Sequence, residues 1–165
     1  MSKIAISNMT MDAAEALVTA DDETNAALRE WFNGTSETSR AKEDLDFGTW
    51  LDGIIMFVAQ NVTTDEREPA PEEIARAVKV QACGVPAVKR IAEAHAKGGT
   101  QTDTKFYVEE GIVNASVWVC GGNAHDHADE VAKECRALGF EVETLKEGGA
   151  EATVMCMKPF AEYAA

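Results

Sequence analysis

The apolar residues of this chain change their spacing once, near residue 104, and that change limits what the chain can fold into. Before it they recur at helical spacing. In "DLDFGTWLDGIIMFVAQNV", Phe47, Trp50, Leu51, Ile54, Ile55, Val58 and Val62 return every three or four residues, which gathers them into a stripe along one side of an α-helix. After it, in "KFYVEEGIVNASVWVCGG", Val113, Ala115, Val117 and Val119 alternate with Asn114, Ser116 and Trp118, so that they share one face of a strand. Helices first and strands later predict an α+β chain: a helical N-terminal lobe followed by a small, mostly antiparallel β-β-α-β-β lobe.

The helical lobe is expected over residues 1–99, with about five helices. Thr10 or Asp12 is the expected cap of a short first helix. "DDETNAALREWFNG" forms a second, with acids at its start, where the helix dipole favours them, and Gly34 as its stop. The helix over 44–62 is central, although Gly48 and Gly53 each weaken it by about 1 kcal/mol relative to alanine. "TTDEREPAP" is a polar linker. A basic helix pair spans 71–97, its members at 71–82 and 86–97, with Pro71 and Pro86 in first turns, where proline is tolerated.

Residues 100–165 form the second lobe. One hairpin turns at Glu110 and Gly111 and another, "FEVETLKEGGAEATVMCMKPF", at Gly148 and Gly149. Between them "NAHDHADEVAKECRALG" carries Ala124, Ala128, Val131, Cys135 and Leu138 as a helical stripe, with Asn123 as its expected N-cap and Asp126 in the capping-box position. The two lobes are expected to pack as one compact unit. The strand, Asn-led helix, "GF", strand rhythm of this lobe, ending in "PF", is similar to that of the sporulation-related repeat, a peptidoglycan-binding family. It lacks that family's second helix before the last strand, and no family is assigned.

Charge excludes more than it selects. The 165 residues hold 29 acidic and 15 basic side chains, a formal net charge of -14. Such a chain repels nucleic acid and anionic lipid on average, so nucleic acid is not the expected direct ligand. The charge is uneven: net -9 over residues 1–66, +2 over 67–99 and -7 over 100–165. The longest apolar window, "WLDGIIMFVAQNV", is too short to span a bilayer and holds Asp52. No membrane association is expected, and with no apolar leader at the N-terminus the cytoplasm is the expected location. Cys83, Cys120, Cys135 and Cys156 match no zinc or redox spacing and are expected as reduced thiols. Cys135 falls in an apolar stripe, whereas Cys83 precedes a glycine in a turn.

Three sets of residues invite a functional reading. Cys120, His125 and His127 are zinc-ligand types. On a helix, however, His125 and His127 project to opposite sides, because residues two apart do not face each other. Gly121 and Gly122 before a helix suggest an anion cradle, but Asp126, Asp129 and Glu130 follow with no lysine. Arg76, Lys79, Lys89, Arg90 and Lys97 on the helix pair suggest a nucleic-acid surface. Helix-turn-helix and helix-hairpin-helix alignments fail there, with Arg90 at an apolar anchor position and Pro86 at a glycine position. The remaining candidates are Trp118, on the strand face with Asn114 and Ser116, and the acids Asp126, Asp129 and Glu130, which suit a protein partner with a basic surface.

No catalytic constellation emerges, and no cofactor is expected. The expected function is that of a small acidic, non-enzymatic interaction protein. It would act as an inhibitor that engages a basic, nucleic-acid-binding partner by offering carboxylates in place of phosphates. The alternatives are nucleic-acid binding through residues 76–97, and a metal- or thiol-dependent enzyme using Cys120, His125 and His127. A homo-oligomer is compatible with all three.

Overall fold

The structure is a computed structural model that describes residues 5–38, 46–62, 67–96 and 99–164. It is α+β: helices through the N-terminal part and a four-stranded antiparallel sheet toward the C-terminus. Two compact units divide the chain. One comprises Met1–Cys83 with Val108–Gly111, the other Gly84–Tyr107 with Ile112–Tyr163. The two basic helices therefore fall in different units.

The first unit holds α1 (Asn8–Ala20), α2 (Asp22–Thr38), α3 (Phe47–Asn61) and α4 (Pro71–Cys83). Ser7, rather than Thr10 or Asp12, caps α1: its hydroxyl accepts the Thr10 N–H at 3.2 Å. Asp21 caps α2 by accepting the Thr24 N–H. Gly34 does not stop α2, which runs on to Thr38. The glycine costs about 1 kcal/mol there, while Trp31 and Phe32 just before it are held by the rings of Trp50 and Phe47. Asp46 starts α3, accepting the Thr49 N–H at 2.8 Å; residues 44 and 45 lie outside the described residues, as do 63–66 of the polar linker. The buried line of α3 is Leu51, Ile55, Val58 and Ala59, packed with Leu28, Ile74, Ala77 and Val78 into this unit's core. Gly111 N–H donates to the Asn61 carbonyl at 2.9 Å.

The second unit holds α5 (Pro86–His95), most of β1 (Gln101–Glu109, whose last two residues belong to the first unit), β2 (Ile112–Cys120), α6 (Ala124–Ala137), β3 (Glu141–Glu147), β4 (Glu151–Pro159) and, up to Tyr163, a short helix beyond the expected elements, α7 (Phe160–Ala164). Glu110 and Gly111 make the first turn with φ 50° and 73°, the left-handed pair that suits strand twist in a tight hairpin. Strand order is β1-β2-β4-β3. The chain leaves β2, crosses over through α6 and returns as β3, one strand away, and β4 then fills the gap antiparallel to both.

Helix α6 buries Ala124, Ala128, Val131, Ala132 and Cys135. Beneath it lie Val113, Ala115, Val117 and Val119 of β2 and Ala152, Val154 and Cys156 of β4, all buried. Alternation commits the intervening residues of each strand to the other face.

Candidate functional site

That other face is the candidate site. Register assembles it in rows across β2, β4 and β3. Trp118 stands beside Thr153 and Leu145, Ser116 beside Met155 and Glu143, Asn114 beside Met157 and Glu141, and Cys120 beside Glu151 and Glu147. The β2 and middle β4 residues are half-buried and the four glutamates exposed; Leu145 is 57% exposed. Apolar side chains, Trp118, Leu145, Met155 and Met157, thus occupy the centre. Carboxylates line the β3 margin; on the other side neutral Asn114 and Ser116 of β2 border the edge strand β1, whose Asp103 and Lys105 are exposed. None of the outward residues of these three strands is a lysine or arginine.

Two features fix and charge this surface. Trp118 Nε1–H donates to Glu151 Oε1 at 2.6 Å, which holds the indole in one orientation. Glu147 and Glu151 stand directly opposite each other across β3 and β4. Like charges so placed destabilise a strand pair. A cationic side chain seated between them would relieve that repulsion.

The residues singled out from sequence scatter. Asp126, Asp129 and Glu130 lie exposed on α6, which covers the face of the sheet opposite Trp118. Asp129 is matched there by Lys146 at 3.0 Å, so Trp118 and these acids do not form one patch. Cys120 is half-buried on the outward face. His125, on the helix side, donates from Nε2 to the Glu151 carbonyl at 3.2 Å. His127 turns instead toward His95, ring centroids 5.8 Å apart, and His95 pairs with Glu134 at 2.6 Å. Cys120, His125 and His127 therefore diverge, and no group of three or more His, Cys, Asp or Glu able to hold a metal ion occurs among the described residues.

Asn123 is the helix-start residue but not as a side-chain cap. It adopts φ 62° and makes no capping bond. Its value there is tolerance of the left-handed conformation. Just before it the backbone packs against residues 99 and 100 so closely that a Cβ on Gly121 would stand 2.4 Å from the Gly99 carbonyl oxygen.

The basic side chains part company too. Lys79 on α4 lies 3.3 Å from Asp21 and 3.8 Å from Glu23, and these acids raise its pKa. Arg76 and Lys79 border a cleft of about 230 Å³ with Leu17, Val18, Thr24 and Ala75, in which Asp21 and Glu72 answer their charge. Lys89 and Arg90 are exposed on α5 in the other unit. Lys97 lies outside the described residues.

Two of the thiols are made poor nucleophiles by their surroundings, Cys83 and Cys156. Burial, assisted by the Glu23 charge, pushes the Cys83 thiol up. Cys135 and Cys156 meet in the core, and the contact together with burial pushes Cys156 well above the ordinary thiol range.

The acid-lined sheet face was reachable in part from sequence, since "EVETLKE" alternates Glu141, Glu143, Leu145 and Glu147 onto one side. That this side adjoins Trp118 depends on β4 lying between β2 and β3. Comparison with family models, with curated proteins and with solved structures gives no match to this chain.

Proposed function

We propose that this protein acts by binding, and that its partner is a protein with a basic surface. The observation that carries the proposal is the outward sheet face: an apolar centre of Trp118, Leu145, Met155 and Met157 edged by Glu141, Glu143, Glu147 and Glu151. Such a face has the parts of a recognition surface. Aromatic and methionine anchors supply desolvation, and charges at the margin supply steering and register. Along β3 the carboxylates of Glu141 and Glu143 are spaced by about 6.8 Å, two strand residues, on a backbone held by its ladder. Lysines and arginines that normally meet phosphates would find carboxylates there, which favours a nucleic-acid-binding protein as the class of partner.

The reading is tested with a basic globular protein as probe, titrated at about 50 mM and about 300 mM salt, where screening of exposed charges differs strongly. Affinity is expected to fall with salt. It should fall further in Glu143→Lys/Glu147→Lys than in Asp126→Lys/Glu130→Lys, whose reversed charges lie across the sheet. Equal effects of the two double variants, or a salt-insensitive affinity, would refute the assignment.

A further inference from the structure

The face also constrains the shape of what covers it. The backbone groups of β2 and β4 are paired on both sides within the sheet and only the outer edge of β3 is open, so an occupant lying over the face gains side-chain contacts only and must arrive with its own peptide groups paired. An extended segment laid across the face would bury unpaired N–H and C=O groups. A second copy of the same sheet brings paired backbone, but it would set Glu141, Glu143, Glu147 and Glu151 against their own counterparts, and like charges across an interface are strongly unfavourable. A helix meets both conditions, and helix on sheet is a standard packing of apolar layers.

The distribution of charge narrows the helix further. Carboxylates line the β3 margin and the Glu151 end, while on the other side of β4 the neighbouring strand β2 presents Asn114 and Ser116, with exposed Asp103 and Lys105 of the edge strand β1 beyond them. A helix running along β4, with its apolar stripe on Met155, Met157, Trp118 and Leu145, exposes one flank to glutamates and the other to neutral groups. From Glu141, the positions Glu143 and Glu147 lie about 7 and about 20 Å along β3. On a helix, residues i, i+4 and i+11 share one flank at axial offsets of about 6 and about 16.5 Å. Lysine or arginine side chains are long and flexible enough to absorb the remaining few ångströms.

We infer that the outward face of β2, β4 and β3 receives an amphipathic helix of the partner, whose apolar stripe is bordered on one flank by lysines or arginines near i, i+4 and i+11. This inference rests on the proposed basic partner and specifies its contacting element.

Two synthetic peptides of about five helical turns test it against the full chain. One carries a leucine stripe with lysines at i, i+4 and i+11 on one flank. The other has the same composition, rearranged so that no one-sided stripe forms. The first is expected to bind at least about tenfold more tightly. Glu143→Lys/Glu147→Lys should weaken it by at least about tenfold, as close charge pairs at interfaces imply, whereas Asp126→Lys/Glu130→Lys should leave it unchanged. Amide shifts should move at Ser116, Trp118, Leu145, Thr153 and Met155 and not along the exposed side of α6. These shifts are read on the wild-type chain and do not depend on how well a variant folds. If the two peptides bind equally, or if shifts map to α6, the helical occupant is overturned while the proposed function stands on its globular probe. If neither peptide nor probe binds, both fall.

Discussion

Gly121→Ala is expected to destabilise the protein by about 3 kcal/mol, whereas Gly122→Ala, one residue on, should be nearly silent. Gly121 has φ +120°, and its added Cβ would lie 2.4 Å from the Gly99 oxygen and 3.1 Å from Thr100 Cα, both backbone atoms. Forcing a side chain into such a sparsely populated conformation costs about 1–3 kcal/mol. Relieving the clash moves the Gly99–Thr100 segment by most of an ångström, at the expense of the 2.9 Å bond that the Thr100 hydroxyl donates to the Gly122 carbonyl, worth about 1 kcal/mol. The 2.8 Å bond from Gly121 N–H to the Ala150 carbonyl, which closes the end of the β2–β4 ladder, is strained as well. Gly122 has no positive φ, and nothing lies within 4 Å of its Cβ position, so its variant should stay within about 0.5 kcal/mol of the parent. Urea unfolding of the parent and both variants, followed by far-UV circular dichroism and by tryptophan emission, measures the difference. A Gly121→Ala loss below about 1 kcal/mol, or one equal to that of Gly122→Ala, would show that the junction is not pinned against residues 99 and 100, and the reasoning would fail.

Three further outcomes are expected. The Arg67 guanidinium and the Ala70 N–H hold the Glu73 carboxyl at about 2, below its ordinary 4.5. Because the folded value is depressed, its stabilisation is complete above about pH 4.5 and disappears toward pH 2. Glu73→Gln should therefore cost about 1 kcal/mol at neutral pH, as for a largely exposed pair, with parent and variant converging in acid unfolding curves. Ile55→Ala, at a fully buried site in α3, should cost about 2–5 kcal/mol through lost burial and cavity formation, measured by the same denaturation. Cys135 and Cys156 are fully buried and should resist a thiol-specific alkylating reagent in native protein, reacting only after unfolding, as mass spectrometry of the labelled peptides would reveal.

How far the sequence carried depended on whether information was local. The stripe from Phe47 to Val58 and the alternation from Val113 to Val119 are properties of neighbouring residues, and both elements formed as expected. Caps are less legible because several candidates stand within a few residues of each helix start. Ser7 displaced Thr10 by offering its oxygen to the Thr10 N–H itself. Gly34 failed as a stop because ring contacts from α3 hold the residues just before it, a tertiary effect absent from any local window. The site was hidden for a related reason. Placing Trp118 beside Leu145 needs strand order, and the sequence does not reveal that β4 inserts between β2 and β3. Without that order, the acids nearest Trp118 in sequence, Asp126, Asp129 and Glu130, were the natural choice, although α6 carries them to the other side.

The opposed pair Glu147 and Glu151 joins stability to function. Facing glutamates on adjacent strands oppose folding by a few tenths of a kcal/mol to about 1 kcal/mol, and the outward residues of β2, β4 and β3 supply no cation to offset them. On the helix side of the same sheet the chain does supply one, setting Lys146 against Asp129 at 3.0 Å. Neutralising Glu147 should therefore stabilise the isolated protein slightly, as Glu147→Gln would remove the repulsion and little else. The same change should weaken capture of a basic helix, because the potential that attracts it is reduced. A residue maintained only for the fold would lose stability on substitution. One maintained for a cationic partner gains stability and loses binding, and that opposition of signs separates a recognition surface from an incidental cluster of acids.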